Sequence, residues 1–451
     1  MMSSQDTICA LATPNGVGAI GMIRVSGKET LAIVSKIFSK QLCEVASHTS
    51  HFGVLSSVNG ELIDEVLVSV FLTGKSFTGE ESAEITFHGS PFILQQGLSA
   101  LVQAGCRIAN PGEFTQRAFL NGKMDLSQAE AVADLIASQS RSAHNVAFKQ
   151  LRGGFSNELK ELREKLIHFA SLVELELDFA EEDVEFADRK ELKDLVTNVL
   201  TYIQKLSRSF ELGNAIKNGV PVAIVGAPNT GKSTLLNQLL GDDRAIVSDI
   251  KGTTRDVIEE TLNIDGILFR LIDTAGIREN AEEVEAMGIQ RSLQKIEQAT
   301  IVICLSDGSD KNNVESVKEW VAQLQKEYPG KKILTVYNKV DLVNQPLFDG
   351  ITISAKQGDN IDGLKNILVE TMKGEFDLSE DTIVSNARHN EALLKTAEAL
   401  EKALQGLETD LSADFVAMDI RQAMFELGQI TGDISTDDLL GNIFSKFCIG
   451  K

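Results

Sequence analysis

The chain has 451 residues, of which 43% are hydrophobic and 24% charged, so it is long enough for several domains and has the composition of a folded protein. Its formal net charge of −22 disfavours a protein that coats nucleic acid by electrostatic attraction. No apolar run approaches the roughly 20 residues that cross a bilayer, and the first residues lack the basic start of a secretion signal. Five scattered cysteines without C-x-x-C spacing indicate a reducing compartment.

The first region, residues 1–123, mixes strand-like and helical patterns. GAIGMIRVSG (18–27) and DEVLVSVFL (64–72) are typical of strands, and SPFILQQGLSALVQAG (90–105) is typical of a helix. This mixture predicts a small α+β domain.

Residues 124–218 and 375–451 are predominantly helical. Three sets of apolar residues recur at spacings of three and four, which places each set on one face of a helix: Leu159, Leu162, Leu166, Phe169 and Val173; Leu393, Ala397, Leu400 and Leu404; and Val416, Ile420, Ala423 and Leu427. The two stretches predict one discontinuous helical domain, interrupted by an inserted domain.

The inserted region, residues 219–374, alternates strands with helices. The predicted strands are PVAIVG (221–226), LFRLIDT (268–274), TIVICLS (300–306), KILTVYN (332–338) and ITISA (351–355). Such alternation indicates a mainly parallel sheet covered by helices, as in Ras-like domains. The whole chain is thus predicted to be a multidomain protein of the α+β and α/β classes.

A phosphate-binding motif follows the first of these strands. GAPNTGKS (226–233) is G-x-x-x-x-G-K-[ST], in which backbone N–H groups surround the phosphates, Lys232 neutralises the β and γ oxygens, and Ser233 binds Mg²⁺. The predicted GTP contacts of this loop are Asn229, Thr230, Gly231, Lys232, Ser233 and Thr234.

Four further segments complete the pattern of a GTPase. Thr254 in KGTTRD completes the Mg²⁺ shell, Asp273 holds the ion through water, and Gly276 offers its N–H to the γ-phosphate. Asp341 of NKVD (338–341) can accept hydrogen bonds from the N1–H and 2-amino group of guanine, and adenine has no matching donors. SAK (354–356) would support the base further. The contacts assigned to these segments are Lys251, Gly252, Thr253, Thr254, Asp273, Thr274, Ala275, Gly276, Asn338, Lys339, Asp341, Ser354, Ala355 and Lys356.

The group that orients the attacking water is not identified by these segments. Ile277 follows DTAG, where Ras-like proteins carry a glutamine, and no arginine finger can be assigned. The acids that follow are Glu279, Glu282, Glu283 and Glu285, and composition does not choose between them.

Four long stretches, together with the GTPase segments, resemble the MnmE (also TrmE) family of tRNA uridine-modification GTPases. They are DTICALATPNGVGAIGMIRVSG (6–27), SFTGEESAEITFHGS (76–90), NPGEFTQRAFLNGKMDLSQAEAVADLI (110–136) and TDDLLGNIFSKFCIGK (436–451). The first, third and last are more specific than any nucleotide-binding motif, and the resemblance covers essentially the whole chain.

The resemblance implies a function and partners. Members are cytoplasmic homodimers that pair with MnmG, which carries FAD, in a heterotetramer or larger complex. The complex adds a carboxymethylaminomethyl or aminomethyl group at C5 of the wobble uridine of certain tRNAs, and tRNA binds mostly through the partner. A 5-formyl- or 5,10-methylene-tetrahydrofolate supplies the one-carbon unit. The family's folate contacts correspond to Arg24, Glu84, Lys123 and Lys451.

The resemblance also implies a potassium ion in place of an arginine finger. Its ligands correspond to Asn229, Ser248, Ile250 and Thr253, and the loop adds Ser248, Asp249 and Ile250 to the GTP contacts. A monovalent cation there stabilises the charge that develops during hydrolysis. The water-orienting glutamate corresponds to Glu285, which acts with Lys232 in catalysis. Lys251 adds a positive charge in the potassium loop, which we expect to weaken the potassium dependence.

Two questions stay open in the sequence. Cys448 of FCIGK is either a participant in the modification chemistry or a small apolar residue packed beside Phe444 and Phe447; the terminal residues do not fit a prenylation signal. The GTPase segments alone also allow a regulatory GTPase of ribosome assembly or stress response, or a scaffold that binds GTP without turnover. The folate-site stretches and FCIGK favour the tRNA-modifying enzyme.

Overall fold

The structure is a computed structural model that describes residues 6–178, 189–241, 260–272, 294–343, 350–374, 381–409 and 412–450. The chain forms two compact units. The first comprises Met1–Ala133, Gln150–Leu172 and Arg421–Lys451, and the second comprises Asp134–Lys149 and Val173–Ile420. The domain boundaries at residues 123, 218 and 374 stay predictions.

The strands fall into two groups along the chain, one within residues 8–108 and the other within residues 220–352. Helices occur inside both groups, between them and after the second. The strands are β1 Ile8–Leu11, β2 Ile20–Ser26, β3 Thr49–Ser56, β4 Leu62–Phe71, β5 Ser82–His88, β6 Arg107–Ile108, β7 Val220–Val225, β8 Glu260–Ile264, β9 Ile267–Leu271, β10 Ile301–Asp307, β11 Lys332–Asn338 and β12 Ile351–Thr352. The helices are α1 Thr30–Ile37, α2 Pro91–Ala104, α3 Glu113–Leu120, α4 Leu126–Ala137, α5 Arg141–Leu151, α6 Gly154–Asp178, α7 Arg189–Arg208, α8 Phe210–Asn218, α9 Lys232–Leu240, α10 Lys311–Glu327, α11 Ile361–Lys373, α12 Ala387–Glu408, α13 Ala413–Thr431 and α14 Asp437–Ser445.

The first unit contains a six-stranded sheet of order β3-β4-β5-β2-β1-β6. The neighbouring strands are antiparallel, except that β1 and β6 are parallel. Alternate residues of β4, namely Val66, Val68 and Val70, are buried, as expected for a strand with one covered face. Residues of α1 and α2 share the apolar core with this face of the sheet. The predicted α+β architecture of this region is confirmed.

The C-terminal residues of the chain pack within this same unit. Leu440, Ile443 and Phe444 of α14 form a buried cluster with Leu126 and Ala129 of α4. Beyond α14, the Gly112 N–H donates to the Cys448 carbonyl oxygen at 3.3 Å, and a Cβ at Gly450 would collide with the backbone of Leu11. The residues after α14 therefore lie against the loop before α3 and the end of β1.

The long helices bury the faces that the sequence indicates. α7 and α12 run antiparallel, with Lys193 Nζ 2.9 Å from Glu408 Oε1 and Ser207 Oγ 2.8 Å from Asn390 Oδ1. Leu393, Ala397 and Leu400 are buried on the predicted face of α12 and Leu404 is half-buried, while the four residues predicted on the face of α13 are all buried. In the first unit, Leu159 and Leu166 are buried on α6, whereas the side chain of Val173 lies outside the described residues.

The second unit also contains a six-stranded sheet, of order β12-β11-β10-β7-β9-β8. All neighbours are parallel except β8 and β9, which pair antiparallel at one edge. The central strands β7 and β10 are almost entirely buried because apolar clusters cover both faces of the sheet. The predicted parallel α/β domain is confirmed. β12 is shorter than predicted, since Ser354 already bridges to Asp359 in the turn that follows.

Within the described ranges, the structure has no helix with both the length and the apolar character that a membrane span requires.

Candidate functional site

The loop between β7 and α9 has the backbone shape of a phosphate cradle. Gly231 has a φ of +97°, and a Cβ at this position would collide with the side-chain amide of Asn338. Gly226 has a φ of +153°, and a Cβ there would collide with the Leu305 carbonyl oxygen. Glycine is therefore required at both positions. Because α9 begins at Lys232, the backbone N–H groups of its first turn adjoin the loop, an arrangement that suits an anion.

The side chain of Lys232 is folded onto this loop. Its Nζ donates to the carbonyl oxygens of Gly226, at 2.9 Å, and Ala227, at 2.8 Å. Burial lowers the pKa of Lys232 below its ordinary value, and the nearby charge of Lys295 lowers it further. A bound phosphate would oppose both effects, since it offers negative oxygens to the same ammonium group.

Asn338 joins the phosphate loop to the loop after β12. Its Nδ2 donates to the Thr230 carbonyl oxygen at 2.8 Å, and its Oδ1 accepts from the Ala355 N–H at 2.8 Å. The residue is 2% exposed, so both bonds are shielded from water. The first residue of NKVD therefore fixes the distance between the segments predicted to bind phosphate and base.

The predicted guanine-binding residues lie at the carboxyl ends of β11 and β12. Ser354 Oγ donates to Asp341 Oδ1 at 2.7 Å, which orients a carboxylate that is otherwise exposed. Lys356, two residues after Ser354, is exposed. Since Asp341 retains a second oxygen, the arrangement can accept hydrogen bonds from the N1–H and the 2-amino group of guanine.

The structure brings together the phosphate-loop residues with Asn338 and Ala355, and separately Asp341 with Ser354. Lys339 is described and contacts Asp307. Twelve residues predicted for GTP, Mg²⁺, K⁺ or catalysis lie outside the described residues: Ser248, Asp249, Ile250, Lys251, Gly252, Thr253, Thr254, Asp273, Thr274, Ala275, Gly276 and Glu285. Lys451 lies outside them too.

The predicted folate residues Arg24 and Glu84 form a pair across β2 and β5. Arg24 donates from Nε and Nη2 to Glu84 Oε1, at 3.0 and 2.9 Å. The guanidinium carbon lies 5.6 Å from the ring centre of Phe77 and 5.9 Å from that of Phe114. Lys123 Nζ donates to the Gly74 carbonyl oxygen at 2.9 Å, in the loop that also carries Phe77. Phe114 is fully buried, whereas Phe77 is 38% exposed, so the Phe77 ring beside these charged groups is the one that a flat heteroaromatic ligand could reach.

Next to this pair lies a partly buried ionic cluster that the sequence did not reveal. Arg117 bonds to Asp6, Glu80 and Glu113, and Arg107 bonds to Asp6 and Glu113, with N···O distances of 2.6 to 3.2 Å. Hydrogen bonds from Arg107 lower the pKa of Asp6. Burial raises the pKa of Glu113, but bonds from Arg107, Asn110 and Arg117 outweigh it and the net shift is downward. Both acids are therefore charged in the folded protein at neutral pH.

Cys448 is exposed, so it is not the buried apolar residue that its neighbours Phe444 and Phe447 suggested. Those two rings instead contact each other, with centres 5.4 Å apart. The thiol is accessible to solvent, which is one of the two conditions for reactivity.

The comparison with known families covers almost the whole chain. Residues 7–123 match the family described as GTP-binding protein TrmE N-terminus, and residues 126–448 match the MnmE helical domain. The tRNA modification GTPase MnmE of Flavobacterium johnsoniae is 51% identical over 468 residues, covering 100% of both chains. The chain belongs to the MnmE family.

Other MnmE relatives are as similar. The tRNA modification GTPase MnmE of Cytophaga hutchinsonii is 52% identical over 99% of this chain and 98% of its own, and that of Bacteroides thetaiotaomicron is 51% identical over 99% of this chain and 100% of its own. Among solved structures, an Aquifex aeolicus Era bound to GDP.AlF4- shares 27% identity over 40% of this chain and 65% of its own, with a TM-score of 0.25. Membership of the MnmE family confirms the prediction of a GTPase enzyme of tRNA modification.

Proposed function

We propose that this protein is a Mg²⁺-dependent, K⁺-stimulated GTPase that acts with MnmG to add a carboxymethylaminomethyl or aminomethyl group at C5 of the wobble uridine of certain tRNAs. The observation that carries the GTPase part is the Asn338 side chain, which bonds the phosphate loop to the SAK loop. That single contact ties triphosphate binding to guanine recognition.

The described residues fit a magnesium nucleotide. Ser233 lies in the first turn of α9, where a hydroxyl can bind Mg²⁺ beside the phosphates, and Thr254 is proposed as its second protein ligand. Asn229 has a φ of +62°, a left-handed conformation that asparagine tolerates, and is exposed at the tip of the loop. An amide oxygen at that place suits a K⁺ ligand, with Ser248, Ile250 and Thr253 proposed as the others.

Glu285 is proposed to orient the attacking water. We expect Glu285→Ala to bind a GTP analogue as the wild type does and to lose most of its hydrolysis. Glu283→Ala is the matched control, since it removes an acid two residues away. Equal activity of the Glu285 and Glu283 variants would refute the assignment.

The potassium proposal needs a separate assay. Hydrolysis in K⁺ should exceed hydrolysis in Na⁺ at equal ionic strength, and Lys251→Ala should widen the difference if the lysine charge competes with the ion. The same rate in both salts would rule out a potassium-stimulated enzyme.

A tetrahydrofolate derivative is proposed to bind near Arg24, Glu84 and Lys123, with Lys451 nearby. The Arg24–Glu84 pair, flanked by Phe77 and Phe114, supports this. The position of the C-terminal end supports it too: Gly450 lies against Leu11, and Ala10, the residue before Leu11, pairs with Arg24 across the sheet. Titration with 5-formyl-tetrahydrofolate tests it: Arg24→Met should weaken binding at least tenfold, whereas an unaffected variant would contradict the site.

We further propose a cytoplasmic homodimer that meets tRNA mostly through MnmG. The net charge of −22 supports a partner that supplies the positive charge for tRNA. Nucleoside mass spectrometry of tRNA from cells that lack the gene, complemented with wild type or Cys448→Ser, tests the modification itself. Unchanged wobble uridines would leave a GTPase of other purpose, and full rescue by the serine variant would exclude an essential thiol.

A further inference from the structure

An acidic residue at the carboxyl end of β10 binds the lysine of NKVD. The Nζ of Lys339 lies 2.6 Å from Oδ2 of Asp307, and the side chains are 33% and 15% exposed. β10 and β11 are parallel neighbours, with Asp307 opposite Asn338. The sheet register therefore sets this acid next to the residue that follows Asn338.

Asp307 is itself held in place independently of Lys339. Its Oδ1 accepts from the backbone N–H of Ser309, at 3.0 Å, and from the Ser309 hydroxyl, at 2.6 Å. The Gly308 N–H donates to the Asn338 carbonyl oxygen at 2.8 Å. Burial raises the pKa of Asp307, but the bonds from Lys339 and Ser309 outweigh it and keep the pKa below its ordinary value. The carboxylate is thus a fixed negative charge.

The conformation of Lys339 makes such an anchor useful. Its φ of +63° lies in the left-handed region, and the short 3₁₀ turn Val340–Leu342, which contains Asp341, follows at once. A free lysine side chain has about 2 kcal/mol of rotamer entropy, most of which a bound ligand would otherwise have to remove. With its ammonium fixed on Asp307, the four methylenes of Lys339 become an ordered apolar surface two residues before the acid that binds the edge of the base.

We propose that Asp307 is a positioning residue for guanine nucleotides, which holds Lys339 so that its methylene stem packs against the face of the base while Asp341 binds its edge. The inference rests on the proposed GTP binding. A competing arrangement is a latch, in which Lys339 must leave Asp307 before the nucleotide binds. Our proposal is the first arrangement: Ser309 and the strand register hold Asp307 in place, so Lys339 has a fixed partner on which it can stay when the nucleotide binds.

The two arrangements predict opposite effects of Asp307→Asn. If Asp307 positions the lysine, the full-length variant should bind GDP about tenfold more weakly, which corresponds to about 1.4 kcal/mol. A latch predicts tighter binding. The affinity for fluorescent GDP is measured directly. The affinities for unlabelled GDP and for inosine diphosphate (IDP) are measured by competition with the fluorescent nucleotide. Asp307→Glu, which retains the charge, should recover part of the loss.

A comparison of GDP with IDP separates positioning from local unfolding. IDP lacks the 2-amino group that Asp341 binds, but it offers the same flat face. Asp307→Asn should therefore weaken both nucleotides by the same factor and leave their ratio unchanged. The control is Asp310→Asn, which removes the acid that caps α10 through the Asn312 N–H at 2.9 Å, and its GDP affinity should stay within twofold of wild type.

Each result decides the inference. Unchanged or tighter GDP binding by Asp307→Asn, an equal loss in Asp310→Asn, or a collapse of the GDP-to-IDP ratio would overturn it. If the wild-type chain fails to bind GDP, the proposed function itself is refuted. If the wild type binds GDP and only the Asp307 results differ from those expected, the positioning role alone is refuted.

Discussion

Replacing Asn338 by alanine removes the side chain that joins two loops of the parallel sheet. The Thr230 carbonyl oxygen and the Ala355 N–H each lose a partner 2.8 Å away, in a place where the asparagine itself is 2% exposed. A buried backbone group left without a hydrogen bond costs about 1 to 3 kcal/mol, so two such groups cost about 2 to 6 kcal/mol. That is a large fraction of the stability of an ordinary domain, which is about 5 to 15 kcal/mol.

Amide hydrogen exchange is the appropriate assay, because a chain with several domains does not unfold in a single two-state transition. Peptides from β7 and β11 should lose about 2 to 6 kcal/mol of protection in Asn338→Ala. Asn313→Ala is the matched control: its amide donates to the exposed Asp310 carboxylate, at 2.9 Å, and its effect should stay within about 0.5 kcal/mol. Equal protection in wild type and Asn338→Ala would refute the bridging role.

Three further outcomes are expected. Phe444 is 2% exposed, so Phe444→Ala should destabilise the cluster of α4 and α14 by about 3 to 5 kcal/mol, measured by hydrogen exchange. A loss below about 1 kcal/mol would mean that the tail is not packed as described. The pKa values of Asp6 and Glu113 are lowered in the folded protein, so these acids stabilise the fold fully above the ordinary carboxyl pKa values. This stabilisation should fall as pH drops through the folded pKa values. A tertiary circular dichroism signal that is flat from neutral pH into that acid range would contradict the prediction. Ser354→Ala removes the hydroxyl that donates to the Asp341 carboxylate at 2.7 Å, so GDP should bind several-fold more weakly and the preference for GDP over IDP should become smaller. An unchanged ratio of the two affinities would show that the hydroxyl does not orient the acid.

Much of the parallel sheet could be predicted because its central strands are continuous apolar runs. β7, β10 and β11 appear at the residues that the sequence indicates, within one or two positions. β8 was not predicted, since Glu260–Ile264 is a five-residue edge strand that starts with two polar residues, and only its burial alternates. Its assignment depends on pairing with β9, which a local pattern does not contain.

The prediction of the phosphate loop rests on a different signal. The motif GAPNTGKS requires particular residue types at fixed spacing, and the glycine conformations of the loop agree with that requirement. Asp307 has no such signal, because its partner Lys339 is brought to it only by the register of two neighbouring strands. Cys448 shows the same limit: its aromatic neighbours in the chain suggested burial, yet the turn after α14 leaves it exposed.

The docking of the C-terminal tail against Gly112 and Leu11 has a consequence for biosynthesis. The chain between Gly112 and Phe444 is about 330 residues long and includes the entire parallel sheet. At about 5 to 20 residues per second, a ribosome needs roughly 17 to 66 s to make it. During that time the loop before α3 and the end of β1 have no tail to cover them, while the parallel sheet is completed first. The surface beside Arg24 is therefore among the last parts of the protein to be finished, and a nascent chain has a nucleotide domain before it has a closed N-terminal unit.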